Sequence, residues 1–252
     1  MKIAIITGAS SGIGREFVRR MDATLNVDEM WVIARRADRL LELQSEVKTK
    51  IVPLSLDLTK AADVEAYQAV LRETKPVVTA LVNAAGYGKI GMAEELSVDE
   101  QVGMVDLNVR ALTEITLLTL PYMEKGSMVW QIASLSSFMP LPHLGVYAAT
   151  KAYVLSFSRA LRSEVKSRGI RIMAVCPGWV RTEFLERAQE GEHTLRYYGC
   201  FYRAPDIVSR AMKDMRKGKA VSIYGVQTRA LIMLSKVLPH GIVAALWHRL
   251  QK

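Results

Sequence analysis

Ile3-Ala4-Ile5-Ile6-Thr7-Gly8-Ala9-Ser10-Ser11-Gly12-Ile13-Gly14 is the stretch whose reading decides the fold. A short apolar run stops at a glycine, two more glycines come after it, and residues 13–21 continue with helical character. The run reads as a strand buried on both faces, and the glycines sit where that strand turns into a helix. Glycine lets the backbone turn sharply and approach a ligand with no Cβ in the way. The helix start beyond it offers unpaired N–H groups and a partial positive charge to an anion. Gly8, Ser10, Ser11, Gly12, Ile13 and Gly14 are therefore expected to cradle the pyrophosphate of a dinucleotide. Glycines also make ordinary turns, and the triplet alone does not separate the two readings.

Outward from this loop the pattern repeats. Residues 31–34, 51–54, 80–82, 128–132 and 170–175 are further short apolar runs, each followed by a turn or a helix. Helices are expected around 39–47 and 147–168, the second closed by Gly169 with Arg168 in its last turn. Ser97-Val98-Asp99-Glu100 is a capping box that opens another helix, and Pro205 suits a first helical turn. Strand–helix alternation of this kind implies an α/β fold, a doubly wound parallel sheet of the Rossmann type in a single domain. Residues 183–204 are rich in aromatics without a clear period, as a lid or binding segment would be.

The chain has 252 residues, half of them hydrophobic and 23% charged. That composition excludes a disordered chain and supplies one packed core. The expected organisation is one dinucleotide-binding unit over 1–252, with a C-terminal helical appendage from about residue 226. Lys and Arg number 34 against 25 Asp and Glu, a net charge of +9. An anionic partner suits such a surface, but the cations are scattered rather than clustered, which argues against nucleic acid. Cys176, Cys200 and four dispersed histidines make neither a zinc site nor a disulfide framework, so no metal and a reducing, cytoplasmic compartment are expected. Residues 3–6 are too short for a signal-peptide core, and no run of about 18 apolar residues would span a membrane.

The second apolar run ends in Ala34-Arg35-Arg36. In dinucleotide-binding sheets an acidic residue here holds the adenosine ribose, whereas arginine accommodates a 2′-phosphate. Arg35 and Arg36 thus favour NADP(H) over NAD(H), through charge-assisted guanidinium–phosphate bonds. Tyr147 and Lys151 are four residues apart on one helix face. A phenol is a poor base at neutral pH, and a nearby ammonium favours the phenolate. Such a pair exchanges a proton with an alcohol or carbonyl. Ser134 lies just past the run 128–132, and Asn108 lies in the helix before it.

In these residues the chain resembles the short-chain dehydrogenase/reductase family, over nearly its whole length. Thr7–Gly14 is similar to its glycine loop, Asn83-Ala84-Ala85-Gly86 to its segment after the fourth strand, and Pro177-Gly178-Trp179-Val180-Arg181-Thr182 to its nicotinamide segment. The resemblance implies that Asp57 and Leu58 meet the adenine. It also implies that Asn83, Ala84, Gly86, Pro177, Gly178, Val180 and Thr182 contact the cofactor. Asn108, Ser134, Tyr147 and Lys151 correspond to the catalytic tetrad. In the implied roles, Tyr147 transfers the proton, Lys151 lowers its pKa and holds the nicotinamide ribose, Ser134 bonds the substrate oxygen, and Asn108 distorts its helix and positions a water. Thr150 and Ser137 depart from the commoner serine and glycine. A homodimer or homotetramer through the helices around 97–120 and 147–168 is also implied.

Substrate contacts are expected from residues 135–146, Trp179 and 183–202, an apolar and aromatic wall suited to a lipophilic ketone, acyl chain or steroid. His143 either joins that wall or stays a partly exposed loop residue. Two alternatives stand beside an enzyme: a non-catalytic NADP-binding sensor, and a membrane-surface protein. The apolar stretch 229–247 motivates the second. It either docks against the substrate pocket or a neighbouring subunit, or lies on anionic lipid with Arg229, Lys236, Arg249 and Lys252 at the headgroups. Docking is the preferred reading, because the segment would otherwise expose a large sticky patch.

Overall fold

The computed structural model describes residues 1–189 and 194–251. Residues 190–193, part of the aromatic stretch, and Lys252 lie outside them. In chain order the elements are β1 (Lys2–Thr7), α1 (Gly12–Asp22), β2 (Glu29–Ala34), α2 (Ala37–Glu42), β3 (Lys50–Ser55), α3 (Ala61–Thr74) and β4 (Val77–Asn83). Then come α4 (Val98–Val105), α5 (Leu112–Thr119), β5 (Met128–Ile132), α6 (Gly145–Glu164), β6 (Arg171–Val175), β7 (Trp179–Val180) and α7 (Glu183–Ala188). The chain continues through β8 (Phe201–Tyr202), α8 (Ala204–Arg216), β9 (Val221–Ser222), α9 (Val226–Val237) and α10 (His240–Gln251).

Seven strands form one parallel sheet in the order β3-β2-β1-β4-β5-β6-β9. β1 shows why alternating side chains must both be apolar. Ala4 and Ile6 pack on one face with Phe17, Val18 and Met21 of α1. Ile3 and Ile5 pack on the other with Tyr67 and Leu71 of α3 and Leu161 of α6. Each fully buried side chain of this size contributes about 1.5–3 kcal/mol.

Every strand expected from an apolar run is present. The helix expected around 39–47 is shorter, because α2 ends at Glu42 and tightens into a 3-10 turn over Leu43–Ser45. The helix expected to reach Arg168 ends at Glu164, and a 3-10 turn over Lys166–Arg168 leads to Gly169 at φ 70°. The Ser97–Glu100 capping box forms as expected, and Pro205 sits in the first turn of α8. The two-stranded ladder of β7 and β8 was not legible, since two-residue strands carry no periodicity.

Candidate active site

β1 pairs with β2 on one side and β4 on the other, so the chain winds away in opposite directions from its carboxyl end. Ligands bind in the crevice at such a switch point. Here a cleft of about 1150 Å³ runs from Arg35 and Asp57, past Gly8–Gly14, to Ser134, Tyr147 and Lys151, and on to Trp247 and Leu250.

At the near end the wall is mainly backbone. Gly8 has φ +67°, and a Cβ on it would stand 2.6 Å from the Ala84 carbonyl carbon. A Cβ on Gly14 would overlap the Gly8 carbonyl oxygen. Thr7 stitches the loops together: its Oγ1 accepts from the N–H groups of Ala84 and Ala85, both at 3.1 Å. Ser11 precedes α1 with extended backbone and no side-chain cap bond, and the first turn holds no acidic residue. This close-packed, positively polarised cradle fits a pyrophosphate. Ser10, Gly12 and Ile13 line it as expected.

The two arginines differ. Arg35 is exposed at the cleft. Arg36 donates to Ser10 Oγ at 3.0 Å and pairs with Glu183 Oε2 at 2.7 Å. That hydrogen bond holds the Glu183 carboxyl below its ordinary range. Glu183 lies in the cleft, within the segment expected to meet substrate, but its pairing with Arg36 was not legible because the two lie 147 positions apart. Asp57 and Leu58 line the cleft. Burial acts to raise the Asp57 carboxyl, but hydrogen bonds from the Thr59 hydroxyl and N–H outweigh it.

Asn83 is a correction. It turns away from the cleft, whose wall here is Ala84, Ala85 and Gly86. Its buried amide donates to Thr116 Oγ1 and Gln131 Oε1, each at 2.9 Å, and so pins β4 to α5 and β5. Its side chain lies on the face of the sheet that α5 covers.

Asn108 sits fully buried in a π-helical widening over Asp106–Ala111, the distortion expected of its helix. Its amide donates to the Tyr87 carbonyl at 2.8 Å and to Thr150 Oγ1 at 3.1 Å, and its Oδ1 accepts from Tyr87 N–H at 3.0 Å. Thr150 in turn donates to the Tyr147 carbonyl at 2.7 Å. The threonine thus supplies the hydroxyl that joins Asn108 to the start of α6. Ser137 is similarly explained: its Oγ accepts from Ser134 N–H while Ser134 Oγ accepts from Ser136 N–H, both at 3.2 Å.

Tyr147 and Ser134 are hydrogen-bonded, and the Lys151 ammonium lies 5.7 Å from the centre of the tyrosine ring. Lys151 Nζ donates to the Ile132 carbonyl at 2.9 Å. Burial pushes Tyr147 up to about 12, with the Ser134 hydrogen bond acting against it. Burial pushes Lys151 down to about 8. This reverses the direction expected for the tyrosine. Desolvation penalises the charged form of each group, and it is the largest cause of both shifts.

Beyond Tyr147 the wall is apolar. Phe184 packs on the Tyr147 ring at 5.5 Å, and Trp179 meets Tyr198 edge-on at 5.0 Å. Leu135, Met139, Leu141, Leu144, Tyr197 and Trp179 line the chamber as expected. Of its two readings His143 takes the partly exposed loop position, and the substrate-contact reading is corrected, since it is held beside the chamber rather than in its wall. Its Nε2 lies 3.2 Å from His248 Nδ1, the rings stack at 5.2 Å, and its φ is 65°. Phe138 likewise stacks under Arg159 and Lys236 instead of reaching the chamber.

The C-terminal helices close the far end. Trp247 Nε1 donates to the Pro142 carbonyl at 2.9 Å. Gln251 Oε1 accepts from Arg196 N–H at 3.0 Å and Tyr197 N–H at 3.3 Å. Leu231, Trp247 and Leu250 line the cleft. The signal for this docking was the apolar stretch itself, but nothing local in it names Pro142 as a partner.

Residues 2–193 match the family model for short chain dehydrogenases. Serine 3-dehydrogenase of Agrobacterium fabrum is 33% identical over 186 residues, covering 71% of this chain and 72% of that protein. A short-chain dehydrogenase from Sphingobium yanoikuyae, solved with NADPH, superposes with a TM-score of 0.79 at 27% identity, covering 95% of this chain and 97% of that one. A short-chain dehydrogenase/reductase from Burkholderia phymatum, solved with NAD, also reaches 0.79 over 92% of both chains; at 21% identity it speaks for the fold alone. The matched segment holds the glycine cradle together with Ser134, Tyr147 and Lys151, and on that ground the chain belongs to the short-chain dehydrogenase/reductase family and is an oxidoreductase.

Proposed function

We propose that this oxidoreductase interconverts a lipophilic carbonyl compound and its secondary alcohol with NADP(H). The observation that carries the reading is the continuity of one cleft, with arginine at one end, the Ser134–Tyr147–Lys151 group in the middle and an apolar chamber at the other end. A bound nicotinamide cofactor supplies or accepts the hydride. Gly8–Gly14 and the first turn of α1 hold the pyrophosphate. Arg35, with Arg36, meets the 2′-phosphate, and Asp57 and Leu58 border the adenine. Ala84, Gly86, Pro177, Gly178, Val180 and Thr182 wall the path to the nicotinamide.

Ser134 Oγ donates to the substrate oxygen, and Tyr147 Oη gives that oxygen its proton in reduction and takes it back in oxidation. A phenol near 12 is protonated at neutral pH, as a proton donor must be. Lys151, drawn down to about 8, needs little free energy to change charge beside it. Asn108 acts as a positioning residue through Tyr87 and Thr150. Trp179, Phe184 and Trp247 exclude water from the reacting oxygen.

Free Cys176 and Cys200 support the reading of a reducing, cytoplasmic compartment. Exposed Val98, Val102 and Val105 of α4 and Leu117 of α5 support pairing of subunits through these helices. A panel of aliphatic, aromatic and steroidal ketones, followed by loss of NADPH absorbance, tests the reading. Turnover of bulky apolar ketones with NADPH preferred over NADH is the expected result. Turnover of small polar carbonyls only, or equal use of NADH, overturns it.

A further inference from the structure

α9 is built inside out. Its buried residues are Thr228, Ile232 and Ser235, so two of the three inward side chains are hydroxyls. They are satisfied internally: Thr228 Oγ1 donates to Tyr202 Oη at 3.3 Å, and Ser235 Oγ to the Ile232 carbonyl at 2.9 Å. The outward side carries Val226, Met233, Leu234 and Val237 instead, with Met233 62% and Val237 79% exposed. α10 continues the pattern: Trp247 and Gln251 face the protein, while Ile242, Leu246 and Leu250 are about half exposed. A helix whose outer face is apolar is normally covered.

The charges say by what. Residues 215–252 contain no Asp or Glu. Arg229 and Lys236 are seven residues apart, two turns along one flank of α9, and Arg249 lies on the outer side of α10. All three are exposed, with Arg229 also donating to the Ile223 carbonyl and Lys236 also lying over the Phe138 ring. Cations bordering an apolar face are the pattern of helices that lie in a lipid interface, where long basic side chains reach the headgroups. No helix among the described residues is long and apolar enough to cross a membrane. A second copy of the chain fits less well. A two-fold contact through this face would bring together two copies of the same cation-bordered patch, with no Asp or Glu of residues 215–252 to offset them.

We propose that the outer face of α9 and α10 binds the surface of an anionic lipid bilayer, lying in the interface without spanning it. Leu231, Trp247 and Leu250 belong to these helices and also line the cleft, so the mouth of the chamber adjoins the lipid-facing side. The surface itself stands whatever the substrate is.

Sedimentation of the full chain with vesicles tests this. Vesicles of phosphatidylcholine mixed with phosphatidylglycerol should bind it on the order of 10²-fold better than phosphatidylcholine alone, the effect of three cations near a charged surface. Met233→Glu and Val237→Glu replace exposed side chains, so melting temperature should hold while binding falls by roughly tenfold each. Lys236→Gln should lower only the preference for the anionic vesicles. Equal binding to both vesicles, no binding to either, or full binding by both glutamate variants would overturn the proposal. So would light scattering that shows a dimer dissociated by Met233→Glu in a chain that binds no vesicle, because a second copy then covers the face.

Discussion

The two ends of the cleft are made differently. At the phosphate end the wall is backbone, held by Gly8, Gly14 and the two hydrogen bonds to Thr7 Oγ1. At the substrate end it is side chains from four separate stretches: Ile90, Leu141 and Leu144, Trp179 and Phe184, and Trp247, gathered in a small core of their own. Backbone geometry tolerates little change, because a displaced carbonyl cannot be repacked. An apolar wall tolerates much, because volume matters more than identity. The contrast teaches where this scaffold is constrained and where it adapts.

Tyr147 stands between the two ends, and its removal should have the largest effect. Tyr147→Phe keeps the ring on Phe184 but deletes the proton donor, so kcat should fall by about 10²-fold or more. Cofactor affinity, followed by fluorescence titration, should hold. Near-normal turnover would remove the chemistry from the point where the ends meet.

Breaking each end separately sharpens the comparison. Gly14→Ala drives a methyl into the Gly8 carbonyl and should cost about 1–3 kcal/mol of stability, with weaker cofactor binding. Trp247→Ala should instead raise KM for bulky ketones roughly tenfold, a loss of about 1.4 kcal/mol of wall contact, and leave cofactor binding unchanged. If Trp247→Ala weakened the cofactor and Gly14→Ala did not, the division of labour would be refuted.

The smallest expected effect lies at the Arg36–Glu183 ion pair, which joins the arginine end to α7 of the substrate end. Both side chains are more than two-fifths exposed, so the pair itself is weak. Glu183→Gln releases Arg36 and removes a negative charge beside the expected 2′-phosphate. NADPH binding should tighten about two- to fivefold relative to NADH. An unchanged ratio would leave Arg35 alone as the discriminating residue.

Much of the site was legible because its signals are local. The cap at Ser97, the glycine spacing after β1 and the Tyr147–Lys151 interval are each read within a few residues, where backbone sterics and helix geometry dictate the conformation. The placements that failed were directional. Asn83 and His143 stand in the expected segments, but a side chain's heading at the end of a strand or in a loop is set by its neighbours in space. For Asn83 these were Thr116 and Gln131; for His143 the neighbour was His248.

From the sequence alone came the parallel α/β sheet, the glycine cradle and the Tyr147–Lys151 interval, since hydrophobic period, glycine and helix spacing act over short range; Asn108 and Ser134 joined that pair through the family resemblance. Tertiary structure alone decided that Glu183 meets Arg36, that burial raises the Tyr147 pKa, and that α10 docks on Pro142 while turning Leu246 outward. These depend on groups tens of residues to more than a hundred apart, brought together by core packing, and local sequence pattern carries no record of which distant surfaces will meet.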